Sequence, residues 1–191
     1  MFAVSTRAAL AAALAAGAAL ALPAAASAAP AKPCAVGKWK LAQYKMGQRD
    51  EGYTASAKGG EGIRLTVAKK SVRYDFNGSK RVVTKGSVAG DAYDLVSVYR
   101  GTLKAKSVLT GGRKGSLSLK ARSATGDAKV SDTNMGVPLG SYSLVKNYRK
   151  AETDPLVPVY ADFTCTAKTL KLTMEADGAG TIDVALVYRR V

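Results

Sequence analysis

From about residue 38 onward, apolar and polar residues alternate singly along most of this chain, which is the period-two signature of strands buried on one face. Trp39 and Leu41 face one way, Lys38 and Lys40 the other. Ile63, Leu65 and Val67 alternate with Arg64 and Thr66. After Lys69-Lys70, Val72, Tyr74 and Phe76 alternate with Arg73 and Asp75, so the two runs read as a hairpin. Asn77-Gly78 is a strong turn signal and opens a strand over 81–88. From Tyr93 to Leu109 one parity carries Tyr93, Leu95, Ser97, Tyr99, Leu103, Ala105 and Leu109, and Gly101 in the middle marks a bulge or bend. Leu117, Leu119 and Ala121 follow the Gly111-Gly112 turn. A short strand is expected over 128–131, a loop over 132–140, and a strand over 141–148 in which Tyr142, Leu144 and Tyr148 share a face. Phe163 and Cys165, then Leu170, Leu172 and Met174, continue the alternation. After the turn at Asp177–Gly180 the chain ends with Ile182, Val184, Leu186 and Tyr188 on one parity.

Residues 46–61 are rich in Gly and small polar side chains and read as a mobile loop, the usual place for a lid or an interaction surface. Roughly nine to eleven short strands with frequent turns and no convincing helix imply an all-β fold. The expected architecture is an antiparallel up-and-down β-barrel, with a two-sheet β-sandwich as the alternative.

The first residues follow other rules. Arg7, the apolar run Ala8 to Leu22, Pro23 and the small-x-small site Ala26-Ser27-Ala28 read as a signal peptide over 1–28. The apolar run is short for a membrane span, and no later segment reaches the ~18 apolar residues a span needs. Ala31-Lys32-Pro33 does not make the approach that lipid attachment at Cys34 would require. The expectation is a secreted, extracellular chain whose residues 29–191 form a single domain. In that setting Cys34 and Cys165, the only two cysteines, have one pairing available, and a bridge between them would tie the first strand to one near the C-terminus.

Charge narrows the partners. The chain carries 29 basic and 14 acidic residues, a net charge of +15. A balance of that size attracts anionic surfaces such as teichoic acids, lipid headgroups or nucleic acid, or else marks a solvated, self-repelling protein. The charges are spread one or two at a time, with no basic tail and no specific nucleic-acid signature. Lys38, Lys40, Arg64, Arg73, Lys104, Lys106, Lys120 and Arg122 are the outward cations of the alternating pattern.

Catalytic chemistry is restricted. The chain has no histidine, which removes Ser-His-Asp and Cys-His nucleophile systems and the commonest zinc and iron ligands. The acidic pairs Asp50-Glu51, Asp91/Asp94 and Asp127/Asp132 lie near expected loops, where carboxylates usually cap turns. No catalytic residue, metal ligand or cofactor is assigned. Tyr74, Tyr93, Tyr99, Tyr142 and Tyr188 all fall on expected inward faces, where an apolar body with a polar tip suits either a ligand cavity or a packed core.

With Gly37-Lys38-Trp39 opening the first strand, the chain resembles the lipocalins and their calycin relatives, in the looser form of lipocalin-like exported proteins of bacteria. The resemblance implies a secreted barrel in which a basic residue near the end of the last strand packs across the tryptophan, and Arg190 holds that parity here. Thr153-Asp154 partly matches the Thr-Asp-Tyr loop of that group, with Pro155 in place of the tyrosine. One tryptophan excludes the biotin binding of the avidin branch. Three functions follow as expectations. The first is a non-enzymatic binding protein holding a small hydrophobic or aromatic ligand in a barrel cavity lined by the five tyrosines. The second is a basic cell-surface module binding an anionic polymer or a protein partner. The third is a carboxylate-dependent hydrolase.

Overall fold

The computed structural model describes residues 33–177 and 180–191. The expected signal peptide and residues 178 and 179 of the last turn lie outside them. Among the described residues the elements are β1 (Gly37–Asp50), β2 (Tyr53–Gly59), β3 (Arg64–Val67), β4 (Ser71–Asp75), β5 (Val82–Val88), β6 (Asp91–Arg100), β7 (Thr102–Leu109), β8 (Lys114–Leu119), β9 (Thr125–Gly126), β10 (Lys129–Asn134), β11 (Val137–Ser143), α1 (Leu144–Arg149), β12 (Tyr160–Cys165), β13 (Thr169–Asp177) and β14 (Thr181–Arg190).

Eight of these strands close on themselves. The pairing runs β1-β3-β4-β7-β8-β12-β13-β14 and returns from β14 to β1, antiparallel throughout and in chain order. The fold is therefore an all-β, up-and-down barrel, and closure excludes the sandwich.

The remaining long strands continue the same sheet beyond the barrel as an open extension, the wing, which also takes in the far halves of β1, β13 and β14. β1 is longer than the barrel needs and carries a bulge between Leu41 and Gln43. Before the bulge β1 pairs with β3. Beyond it, Lys45–Asp50 pair with β2, and the sheet continues through β5, β6 and β10 to β11. β2 and β3, β4 and β5, and β6 and β7 are each two halves of a strand that breaks at the barrel rim. Gly101 makes the third break. Its φ of +80° is open to glycine, and a Cβ there would press on the Asp127 backbone. Gly60 and Gly62, both at positive φ, serve the first break.

Three expectations need correction. Residues 46–61 are not a loop but the end of β1 and all of β2. Their alternation is real but faint, because the inward positions Ala55 and Ala57 are small and Gly47 sits among the outward ones. The expected loop over 132–140 is mostly strand, since β10 and β11 form a hairpin through Met135-Gly136. The expected strand over 141–148 stops at Ser143, whose side chain accepts the Lys146 N–H and caps α1. Leu144, Val145 and Tyr148 lie on one helical face and are buried. An i, i+4 pair has even spacing, so Leu144 and Tyr148 satisfy strand and helix periods alike.

One hydrophobic cluster fills the barrel and runs on beneath α1. Trp39, Leu65, Tyr74 and Leu103 are cross-strand neighbours in a single layer, and all four are fully buried. Leu41, Tyr188 and Leu170 make another layer, with Phe163, Leu172 and Leu186 beyond. The Cys34–Cys165 disulfide joins the segment before β1 to the end of β12. The described residues contain no helix long and apolar enough to cross a membrane.

Candidate functional site

The five tyrosines do not form one set. Tyr74 and Tyr188 sit inside the barrel at 0% exposure, and neither hydroxyl has a hydrogen-bond partner. Burial holds both hydroxyls well above their ordinary pKa, so they stay neutral. Tyr93 lies far out on the wing, stacked on Tyr53, with the two hydroxyls 2.9 Å apart. Burial and that bond push Tyr93 up to about 12. Tyr142 is on the outermost strand and 38% exposed. Tyr99 stands at the junction of barrel and wing.

That junction is organised by Asp154, which in the sequence stands only as part of a partial Thr-Asp motif. Asp154 is buried, and its carboxylate accepts the Tyr99 hydroxyl at 2.9 Å and the Leu156 N–H at 2.8 Å. Burial raises the Asp154 pKa, and nearby Asp132 adds to the rise. The two hydrogen bonds oppose it. Tyr44, Tyr142 and Tyr148 feel the same carboxylate. Both Asp154 oxygens are engaged, so the group works as a tie between β6 and the 154–157 turn. Pro155 sets Leu156 to donate back into the carboxylate, the local reason an Asp-Pro-Leu sequence turns here.

The expected contact between Arg190 and Trp39 is present. The Arg190 guanidinium lies 4.1 Å from the Trp39 ring centroid, and it donates to the carbonyls of Cys34 at 2.9 Å and Ala167 at 2.7 Å. The indole N–H donates to Ala35. A Cβ at Gly37 would collide with the Arg190 guanidinium, so the glycine gives the arginine its place over the ring.

The outward faces hold the exposed charge. Across the barrel wall, Arg189, Lys40 and Arg64 are consecutive cross-strand partners on β14, β1 and β3. One row along, Lys38 and Thr66 pair, Thr66 faces Arg73, and Arg73 faces Lys104. Lys106 extends the patch on β7, and Lys120 bonds its carbonyl from the next segment. Asp75, the direct cross-strand partner of Arg64, is the one acid in this register; it accepts the Asn77 N–H and side-chain amide and makes no salt bridge with Arg64. Among the described residues the only salt bridge is Lys85 to Asp94, on the wing, at 3.5 Å. Among the described residues the barrel-face cations therefore make no salt bridge.

A second outward feature lies on the wing. Over Gly47, where a Cβ would meet nothing, is an open cavity of about 510 Å³. It borders hollows of about 320 Å³ towards Lys58 and about 280 Å³ towards Glu175, with which it shares lining residues. Sequence reading missed it because it assigned its floor to a loop. The alternation of Lys45, Gly47 and Arg49 with Tyr44, Met46 and Gln48 was the available signal.

The acidic pairs remain apart in role. Asp127 accepts the Thr102 N–H and hydroxyl, which lowers its pKa, and so braces the Gly101 break. Asp132 faces the junction, Asp94 pairs with Lys85, and Asp50 caps the β1–β2 turn through the Glu51 N–H. Among the described residues no group of three or more acids or cysteines has a metal-holding arrangement.

No family model matches this chain, and neither a curated protein nor a solved structure is similar to it at a significant level.

Proposed function

We propose that this chain is a secreted, non-enzymatic binding module of lipocalin-like, calycin-type build that engages a linear anionic polymer with the outer wall of its barrel. The Gly37-Trp39-Arg190 arrangement and the eight-strand closure support the calycin kinship. The observation that carries the function is the placement of like charges directly opposite one another on Arg189, Lys40 and Arg64, and again on Arg73 and Lys104. Such cross-strand pairs cost a few tenths to about 1 kcal/mol each. A fold that keeps them, with only one acid in register, gains that energy back when a polyanion lies across the wall.

A small-ligand carrier takes second place. It would need room at Tyr74 and Tyr188, and that space is packed by Trp39, Leu65, Leu103 and Phe163. The two unpartnered tyrosine hydroxyls are the feature in its favour.

The test is Lys40→Glu, which removes one cation and sets an anion between Arg189 and Arg64. Binding of long-chain polyphosphate, measured by calorimetry at low and moderate salt, should weaken at least tenfold with a shallower salt dependence. Thermal stability should hold or rise slightly. Unchanged binding would remove the barrel wall from the reading.

A further inference from the structure

The groove on the wing has a charge pattern unlike that of the barrel wall. A single cross-strand row runs Glu175, Asp183, Gly47, Ser56, Lys85 over five neighbouring strands. Its acids sit together at one end, where Glu175 and Asp183 are direct partners. Lys85 closes the other end, where it is paired with Asp94 on β6. The cations that make no salt bridge among the described residues flank the row: Lys45 and Lys58 are direct partners one row along, with Lys45 lining the same hollow as Glu175 and Asp183, and Arg49 lies on the opposite side of Gly47. Between the two ends are only small or hydroxyl residues: Gly47, Ser56, Thr54 and Thr181. All of these charged side chains are exposed. Each like-charged pair is unfavourable alone, and among the described residues the acids at one end form no salt bridge with the cations at the other.

We propose that this groove binds a phosphodiester unit that carries a primary ammonium group. The phosphate lies among Lys45, Lys58 and Arg49, and the ammonium lies against Asp183 and Glu175. A purely anionic ligand would satisfy the first flank and be repelled by the second, and a purely cationic one the reverse. The flanks are separated by one to three strand spacings, roughly 5–15 Å between backbones. That is too wide for a free α-amino acid, whose two charges sit on one carbon. Several converging donors suit the oxygens of a phosphate better than the two of a carboxylate. A diester fits because the groove is open to solvent and bordered on two sides by further hollows, which leaves room for both ester substituents. Ser56 and Thr181 line the space between the flanks, where their hydroxyls can donate to phosphate and ester oxygens.

Gly47 makes the site testable without unfolding the protein. Its backbone is ordinary strand and the space above it is empty, so Gly47→Val suits the strand and fills the groove. The probe is glycerophosphoethanolamine, compared with glycerol 3-phosphate and with ethanolamine in titrations of the full chain followed by NMR. The expected result is at least tenfold tighter binding of the aminophosphodiester than of either comparison compound. Gly47→Val should abolish that binding at an unchanged melting temperature, and Asp183→Asn with Glu175→Gln should erase the preference for the ammonium-bearing compound. Equal affinity for glycerol 3-phosphate, or full binding by Gly47→Val, overturns the proposal. Vesicles separate the sources. Capture by phosphatidylethanolamine vesicles, displaced by the soluble probe, identifies a lipid headgroup, whereas soluble binding without vesicle capture identifies a free or polymer-borne unit. The site is independent of the barrel wall: Lys40→Glu should leave probe binding intact, and Gly47→Val should leave polyphosphate binding intact.

Discussion

The barrel and the wing grow from the same strands and end in opposite conditions. In the barrel every strand has two partners, and the interior is occupied by Trp39, Tyr74, Tyr188, Phe163 and a sleeve of leucines. In the wing the sheet stays open and stops at β11, where Val137 is 62% and Leu139 63% exposed. The inward positions nearest the rim are alanines, and the outward ones are Gly47 and short hydroxyl residues interspersed with the exposed Lys45, Arg49, Lys58 and Lys85. Closure removes edges and allows large side chains to meet from all sides. An open sheet one layer thick has no opposite wall to pack against, so large apolar side chains gain little there, and the positions are free to carry recognition. The barrel therefore concentrates the stability, while the wing offers a shaped surface.

The difference can be broken most directly in the barrel core. Phe163→Ala removes a buried ring from the centre of β12 and should cost about 3–5 kcal/mol in denaturant unfolding. A loss below about 1 kcal/mol would mean that the interior collapses around the gap and is not tightly packed.

The junction should respond next. Asp154→Ala strips the Tyr99 hydroxyl and the Leu156 N–H of their acceptor in a buried place and should cost about 2–4 kcal/mol. The pH dependence sharpens this. The folded pKa of Asp154 lies above 3.8, so its protonated form is the one the fold favours. Its contribution is complete below about pH 3.8 and is lost as pH rises through the folded value. Unfolding curves collected through that window should slope for the native protein and flatten for Asp154→Asn, which removes the charge and keeps hydrogen-bonding capacity. A slope that survives in the Asn variant would assign the titration to another group.

The smallest effect is expected at the free edge. Val137→Thr should change stability by no more than about 0.5 kcal/mol, and β11 amides should exchange with solvent well before those of β12 or β14. Strong protection of β11, or a loss above about 1 kcal/mol, would mean that something covers this edge in solution and that the wing is not open.

What could be read from sequence is the set of features that depend on neighbours along one strand. Alternation fixed the β class and the facing of Trp39, Leu65, Tyr74 and Leu103. The parity of Ile182, Val184, Leu186 and Tyr188 extended to Arg190, and the two cysteines allowed one bridge. Strand parity is local physics, since successive side chains must point to opposite faces. It failed at Ala55 and Ala57, where the inward side chains are too small to mark a period, and at Leu144 and Tyr148, where even spacing serves helix and strand alike.

Only the tertiary structure decided which strands share a wall. Lys40 belongs with Arg189 and Arg64 because β1 lies between β14 and β3, and those residues are far apart in the chain. The same holds for Lys45 and Lys58 against Asp183 and Glu175, and for Tyr99 against Asp154, which parity could not connect. Closure and the break at the rim also decided that five inward tyrosines would go to three places. Register between strands depends on turn geometry and on the fit of a whole wall, and no window of the sequence contains either.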